Sequence, residues 1–464
     1  MGWRRPIIGA VFCIILAGCS QKKTDVSPPI DRLQWNLNTT VGIYRNSDAT
    51  GGAWDQYATN ALIEFAKARA NAVSKGELFS KIIETNAVAA KNAGCNDPLV
   101  NYLYVKYHLV SIADKDTLTA ALVTAATEIN KSAYPPLRKF YASFWAMNQY
   151  QWANNYPTNH PASVAEINRQ MIGNYQTLLD DKNIPVGEIF DATHEFLGIW
   201  EGNAQLYQTY YGRIEPTLFK NWPESSESWL IKAEAYCQLA WQDRGGGYAN
   251  AVPQEQWKKF FDKLTIAETA ADKAWTLNSS NSQIATLMIK IDEGLQKKRP
   301  DMEMWFARAM DLAPNNYDAC RCKLHYLYPQ WYGSRDDMLA FGRECVANTN
   351  WGGYVPITLV DAHTEFNQFS TTNEETRLAY WKQPDVWPDI KAAYDRFFQL
   401  NPEETGIYKN YASYAYHADQ WTDFLKIAEK VRPEDYSFFG DKGEFSKMIT
   451  HAKESLAGNS PEKK

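Results

Sequence analysis

Residues 254–277 read QEQWKKFFDKLTIAETAADKAWTL. Trp257, Phe260, Phe261, Leu264, Ala267, Ala271, Ala274 and Trp275 recur at helical intervals, and Lys258, Lys259, Asp262, Glu268 and Asp272 fall elsewhere. One apolar stripe with a 3.6-residue period is the pattern of a long amphipathic helix facing a core. The segment before it, from about Glu227 to Asp243, gathers Trp229, Ala233, Tyr236, Leu239 and Ala240, and Ser225 or Ser226 can cap its start after Pro223. Small residues where two helices cross let the axes approach, and large ones fill the gaps beside them. The same period runs along most of the chain. Pro98 opens a helix with Leu99, Leu103, Val105 and Leu109, and Ala120 to Ile129 and Leu137 to Trp145 continue it. Strand-like alternation is rare, so the expected class is all-α.

Trp229, Ala233 and Tyr236 stand at the large, small and aromatic positions of a first repeat helix, and Ala267, Ala271 and Ala274 at the small positions of a second. Ala309, Leu312 and Pro314 ahead of Asn315-Asn316, and Phe397, Leu400 and Pro402, supply two closing phrases in which proline follows a helix end and begins the next helix. After Pro402 come Tyr408, Tyr411, Ala412 and Ala415 at helical spacing. This pattern resembles the tetratricopeptide repeat. The resemblance implies stacked antiparallel helix pairs forming a superhelical or curved solenoid, in which each pair needs neighbours to bury its faces. The period departs from a clean repeat of about 34 residues: the 229–277 unit is stretched by its loop, and Met302 stands where a small residue is expected. The glycine, proline and polar cluster from Gly212 to Pro223 suggests a boundary between an N-terminal helical region, 34–215, and a repeat region, 216–455, followed by a disordered tail, 456–464.

At the other end, Arg4 and Arg5 precede an apolar run from Ile7 to Leu16 that is too short to span a bilayer, and Leu16-Ala17-Gly18-Cys19 closes it. This layout resembles the lipobox of bacterial lipoproteins. The resemblance implies a signal peptide over 1–18 and a Cys19 that becomes residue one, acylated on sulfur and amino group. Ser20 in place of aspartate implies the outer membrane, facing the periplasm or the surface. Residues 19–33, polar and containing Ser27-Pro28-Pro29, read as a lipidated tether.

The chain of 464 residues carries a net charge of −6, and loss of Arg4 and Arg5 makes the mature chain more acidic. That balance argues against nucleic acid and against electrostatic adhesion to anionic lipid. Attachment to the membrane then falls to acyl chains, at about 0.8 kcal/mol per buried CH₂. No later stretch reaches ~18 uninterrupted apolar residues.

Two loops are distinctive. Ala240-Trp241-Gln242-Asp243-Arg244-Gly245-Gly246-Gly247-Tyr248-Ala249 lies between the paired helices, and Leu327-Tyr328-Pro329-Gln330-Trp331-Tyr332-Gly333-Ser334 precedes a helix with Met338, Leu339, Phe341 and Cys345. Across about 222–351 they resemble an uncharacterised bacterial family of tetratricopeptide-like proteins, with Trp-x-x-Arg-Gly-x-Gly-Tyr-Ala and Leu-x-Pro-x-Trp-x-Gly-Ser motifs; that resemblance implies a fold and no activity. The glycine loop lacks the Lys-Ser/Thr of a phosphate loop and follows a helix instead of a strand. Its glycines suit positive φ, with Arg244 at the negative helix end. Arg244, Gly245, Gly247, Tyr248, Trp331 and Tyr332 are the candidate partner or ligand contacts. Ser334 reads as an N-cap with Asp337 three residues on, not as a nucleophile.

Cys95, Cys237, Cys320, Cys322 and Cys345 follow Cys19; export permits disulfides, and an odd count leaves at least one thiol over. Cys237 reads as a buried small hydrophobe, Cys320 and Cys322 point to different sides, and a bridge from one of them to Cys345 is one option. His194-Glu195 lacks the second histidine of a zincin, and Asp361-x-His363-x-Glu365 reads as an incidental polar loop. No metal ligand set and no cofactor motif is expected.

With 17 tryptophans, 27 tyrosines and 20 phenylalanines, the chain is rich in rings that either pack repeats or form sugar-stacking platforms. Three readings follow. The first is a non-catalytic, lipid-anchored scaffold binding a protein or peptide in the cell envelope. The second is an outer-membrane glycan-capturing lipoprotein of the starch-utilisation type. The third is a helical-toroid hydrolase, which requires facing carboxylates roughly 5–10 Å apart.

Overall fold

The helix Gln254–Leu277 forms as its spacing predicts, burying Phe260, Leu264, Ala267, Ala270, Ala271 and Ala274. Its partner is Ser226–Arg244, whose start is capped by the Ser225 hydroxyl accepting from the Glu227 amide at 3.1 Å. The two pack along their length. The Ser226 hydroxyl donates to the Ala274 carbonyl across the pair at 3.0 Å, and the Trp229 indole donates to the Pro223 carbonyl at 2.9 Å, fixing the turn that leads in. Four alanines in the crossing cost almost no side-chain entropy to bury.

In this computed structural model residues 31–70, 76–155, 160–247 and 249–458 are described. Every regular element among them is helical, so the all-α expectation holds. Successive helices pack on one another throughout, around one continuous apolar core. Among the described residues no helix is long and apolar enough to cross a membrane.

From Ser226 onward the packing has a simple order. The helices Ser226–Arg244, Ser282–Gly294, Tyr317–Tyr326 and Thr358–Ser370 form one row, each touching the next. The helices between them, Gln254–Leu277, Arg299–Leu312 and Arg335–Ala347, pack on their sequence neighbours, and their own row is bridged by longer side chains: Trp275 meets Trp305, Phe306 meets Phe341, and Arg299 pairs with Asp337. The first row, whose backbones approach one another more closely, is termed the inner row. Close approach is supported by glycine at one crossing: a Cβ on Gly342 would lie 2.7 Å from the Cα of Leu359. Met302, by contrast, is fully buried, an unbranched side chain filling the place of a small one.

The first half closes on itself. The helix Arg32–Leu37 packs back against Val186–Gly198, some 150 residues on, through a buried ionic cluster. Glu188, fully buried, accepts from Arg32 Nε at 2.7 Å, Asn36 Nδ2 at 2.8 Å and Arg69 Nη2 at 3.4 Å. Arg32 also pairs with Asp191. Arg138, 2% exposed, donates to Asn36 and lies between the rings of Trp35 and Phe65. Burial alone would raise the Glu188 carboxyl, but Arg69, Arg32 and Arg138 together hold it below its ordinary value. Two π-helical turns, Asn38–Gly42 and Val105–Leu109, lie in this half.

Several sequence expectations shift. Arg32 and Leu33, read as tether, belong to the first helix because Arg32 has carboxylate partners far along the chain. The division at 215/216 falls inside the helix Ala204–Asn221, which carries Pro216. A proline inside a helix lacks the amide that would bond four residues back, here at Gly212, a position where an added Cβ would meet nothing within 4 Å. Pro314 and Pro402 lie in the linkers and do not open helices: Asn316 caps Tyr317–Tyr326, and a 3₁₀ turn, Thr405–Ile407, precedes Tyr408–His417. The last helix, Lys442–Gly458, takes in Leu456 to Gly458 of the expected tail. The signal peptide, Cys19, the tether up to residue 30, Tyr248 and residues 459–464 lie outside the described residues.

Candidate functional site

The inner row holds a cavity of about 600 Å³. Trp241, Arg244, Gly245 and Gly246 line it from the first helix and its exit, Lys290 and Glu293 from the second, Tyr317, Asp318, Arg321, Cys322 and His325 from the third, and Asp361 and Glu365 from the fourth. Tyr328 and Trp331 enter from the turn after the third helix. The two loops singled out from sequence, more than 80 residues apart, thus meet at one opening.

Arg244 is the joint between them. It ends its helix, and Gly245 follows with φ +72°, the left-handed backbone that favours glycine. Arg244 Nη1 donates to the Gly245 and Gly247 carbonyls at 3.0 and 3.3 Å, so the side chain braces the loop. Its guanidinium lies 5.3 Å from the ring centres of Trp257 and Trp331 and 5.7 Å from that of Trp241, a three-sided aromatic frame. Trp241 and Trp331 meet edge to face at 5.6 Å. Arg244 is 9% exposed, and its Nε has no hydrogen-bond partner.

The second loop is held by its backbone. A Cβ on Gly333 would strike the Leu327 carbonyl at 2.2 Å, so only glycine closes this turn. Ser334 then caps Arg335–Ala347, accepting from the Asp337 amide at 3.2 Å and donating to its carboxylate at 2.6 Å, the cap its position predicts. Tyr332 faces away from the cavity: its ring lies against Tyr326, and its hydroxyl donates to the Glu293 carbonyl at 2.9 Å. It braces the second inner helix and does not line this cavity.

Each carboxylate deep in the cavity has a neutral or titratable neighbour. His325 Nδ1 lies 2.7 Å from Glu293 Oε2, whereas Glu293 Oε1, on a side chain buried with its residue at 2% exposure, has no partner. The Tyr317 hydroxyl donates to Asp361, and Tyr328 is hydrogen-bonded to Glu365. Burial raises the Asp361 carboxyl to about 6, against the pull of Tyr317 and Arg321. Burial also raises both tyrosines, and it pushes the Cys322 thiol up to about 12, which keeps that sulfur protonated and unreactive.

Asp361-x-His363-x-Glu365 lies on the helix Thr358–Ser370, not in a loop. Helical spacing puts Asp361 and Glu365 on the face toward the cavity and turns His363 away, buried between Tyr380 at 2.8 Å and Asp389 at 3.1 Å. No cluster of three or more metal-ligating side chains occurs among the described residues. All five described cysteines are free thiols. Cys320 lies against Met310 and bonds to Cys345 as a thiol, while Cys322 faces the cavity, so the two do point to different sides. Cys237 is buried, and its thiol is raised to about 11 by burial.

Lys290, Glu293, Asp318, Arg321, His325, Asp361 and Glu365 were not singled out as contacts from sequence. Their signal is there in part: Tyr317, Arg321 and Leu324 share one helical face, and Asp361 and Glu365 another. Nothing in one helix says that this face meets the next.

No family model matches the chain, and no curated protein matches it. The tetratricopeptide and lipobox resemblances therefore rest on the residues quoted above.

Proposed function

We propose that this chain is a lipid-anchored envelope protein whose tetratricopeptide-like helix pairs form a curved solenoid and hold a peptide segment of a partner protein without transforming it. The observation that carries the reading is the cavity itself, built by four successive inner-row helices and roofed by two aromatic loops. A site spread over several helices suits an extended ligand better than a compact one. The anchor is Cys19, acylated at the outer membrane and facing the periplasm or the surface; no nucleic acid and no cofactor takes part. Against chemistry stands the state of the candidate groups. The one thiol in the cavity is protonated, and Glu293 and Asp361 are each engaged by a neighbouring side chain.

Crosslinking in the native cell, followed by identification of the attached chains, tests the reading. A discrete partner retained in wild type and lost on Trp331→Ala supports it; recovery of bulk envelope proteins alone contradicts it. Cys19→Ser removes acyl labelling if the anchor is as proposed, and persistent labelling rules that anchor out.

One observation favours the second reading, glycan capture: Trp241 and Trp331 present rings at the cavity mouth. Oligosaccharides that quench the tryptophan fluorescence, where peptides do not, would transfer the site to that reading.

A further inference from the structure

The cavity is polarised along the row. At its first end Arg244 and Lys290 carry positive charge, and no carboxylate of the described residues lies within 4.0 Å of either. At its last end stand Asp361 and Glu365, hydrogen-bonded to the hydroxyls of Tyr317 and Tyr328 and with no ion pair within 4.0 Å among the described residues, although Arg321 on the next helix acts on Asp361 from farther off. Between them Asp318 and Arg321 on the third helix bring one charge of each sign, and Glu293 is held by His325. A folded chain ordinarily pairs such charges with each other when they share a cavity. Here the helix that carries Arg244 stands three steps from the one that carries Asp361 and Glu365, Lys290 and Arg321 lie between without an ion pair among the described residues, and two buried polar atoms, Arg244 Nε and Glu293 Oε1, have no partner.

We propose that the cavity binds a short extended peptide in one direction, with its acidic, carboxyl-terminal end at Arg244 and Lys290 and its basic, amino-terminal end at Asp361 and Glu365. This rests on the peptide-binding reading above and adds polarity and end-group chemistry to it. A carboxylate at the first end meets the exposed Lys290 ammonium beside the Arg244 guanidinium, which Trp241, Trp257 and Trp331 frame. An ammonium at the other end meets two carboxylates one helical turn apart. Three interhelix steps of 8–10 Å separate the ends, and side chains reaching inward shorten the gap to about 20 Å, the length of roughly six extended residues.

The test uses the full chain and two hexapeptides of one composition. One has two lysines at its amino end, two alanines, and two glutamates at its free carboxyl end; the other has the reverse order. Tryptophan fluorescence reads both titrations. The lysine-first peptide is expected to bind at least about tenfold tighter. In the double variant Lys290→Glu, Glu365→Lys, each end keeps one charge of each sign, so the preference should fall to near parity while both peptides still bind, an outcome that loss of folding cannot produce. Equal affinity of the unmutated chain for the two peptides, or binding of neither, overturns the inference. Equal affinity leaves peptide binding itself standing, and binding of neither, with a partner still captured in cells, leaves the envelope reading standing. If neither probe yields binding and no partner is captured, both fall.

Discussion

Residues 32–198 and residues 226–458 are built from the same kind of helix and held together differently. In the first region a side chain near the start of the chain bonds to one more than 150 residues away, and the contact is ionic and buried. In the second, side-chain bonds such as Arg299–Asp337, Arg335–Asp385 and Thr364–Tyr414 reach one unit along the row, spanning 38 to 50 residues. The first region is therefore locked by a few costly groups, and the second by many ordinary ones. A cavity made from successive members of a row can tolerate small adjustments between them, and the closed region supplies the fixed end from which the row extends.

The largest expected effect lies in the lock. Glu188→Ala leaves Arg32, Arg69 and Arg138 without their shared carboxylate and should cost about 3 kcal/mol in denaturant titration, because the buried Arg138 loses its nearest anion while Asp191 still compensates Arg32 and Arg69. Loss of no more than about 1 kcal/mol would show that the region is not held there. In the row, Gly342→Ala forces the helix off Leu359 and should cost about 1–3 kcal/mol. Its effect should be confined to exchange protection near 335–370. Ser334→Ala removes a single cap and should cost about 1 kcal/mol. Smallest is Arg335→Ala, an exposed pair with Asp385, at no more than about 1 kcal/mol.

Acid should separate the regions as well. The Glu188 carboxyl is depressed, so its contribution is present above the ordinary glutamate range and is lost as pH falls through it; 32–198 should open first on acidification. Asp361 is shifted the other way. Its raised value makes the protonated form the better folded one, so its share of stability is full below the ordinary aspartate range and fades as pH rises through about 6. The groups around it are Tyr317, Tyr328, Arg321, Glu365, Tyr394 and Tyr414. Asp361→Asn should flatten that dependence in a thermal-melt series from pH 4 to 8, and an unchanged slope would assign it to another group.

The contrast also explains what the sequence makes legible. Periodicity found the helices of the row, and small residues such as Ala267 and Ala271 found their pairing, because those signals are local. Both loops were recognisable as unusual, and Arg244, Gly245 and Trp331 do line the cavity. Tyr332 lies outside that lining, its hydroxyl on the Glu293 carbonyl, because neighbouring side chains in a turn face different ways. Asp361 and Glu365 were misplaced in a loop because alternating polar residues hide a helix whose other face is apolar. The closure of Arg32 onto Glu188 had no sequence signal, since a pairing across 156 residues leaves no spacing to read.

Hydrogen exchange on the full chain, with and without the lysine-first hexapeptide, tests the division of labour most directly. Protection gained at 241–247, 317–331 and 358–366, with 32–198 unchanged, is the expected result. Protection appearing instead within 32–198, or nowhere in the inner row, would contradict it.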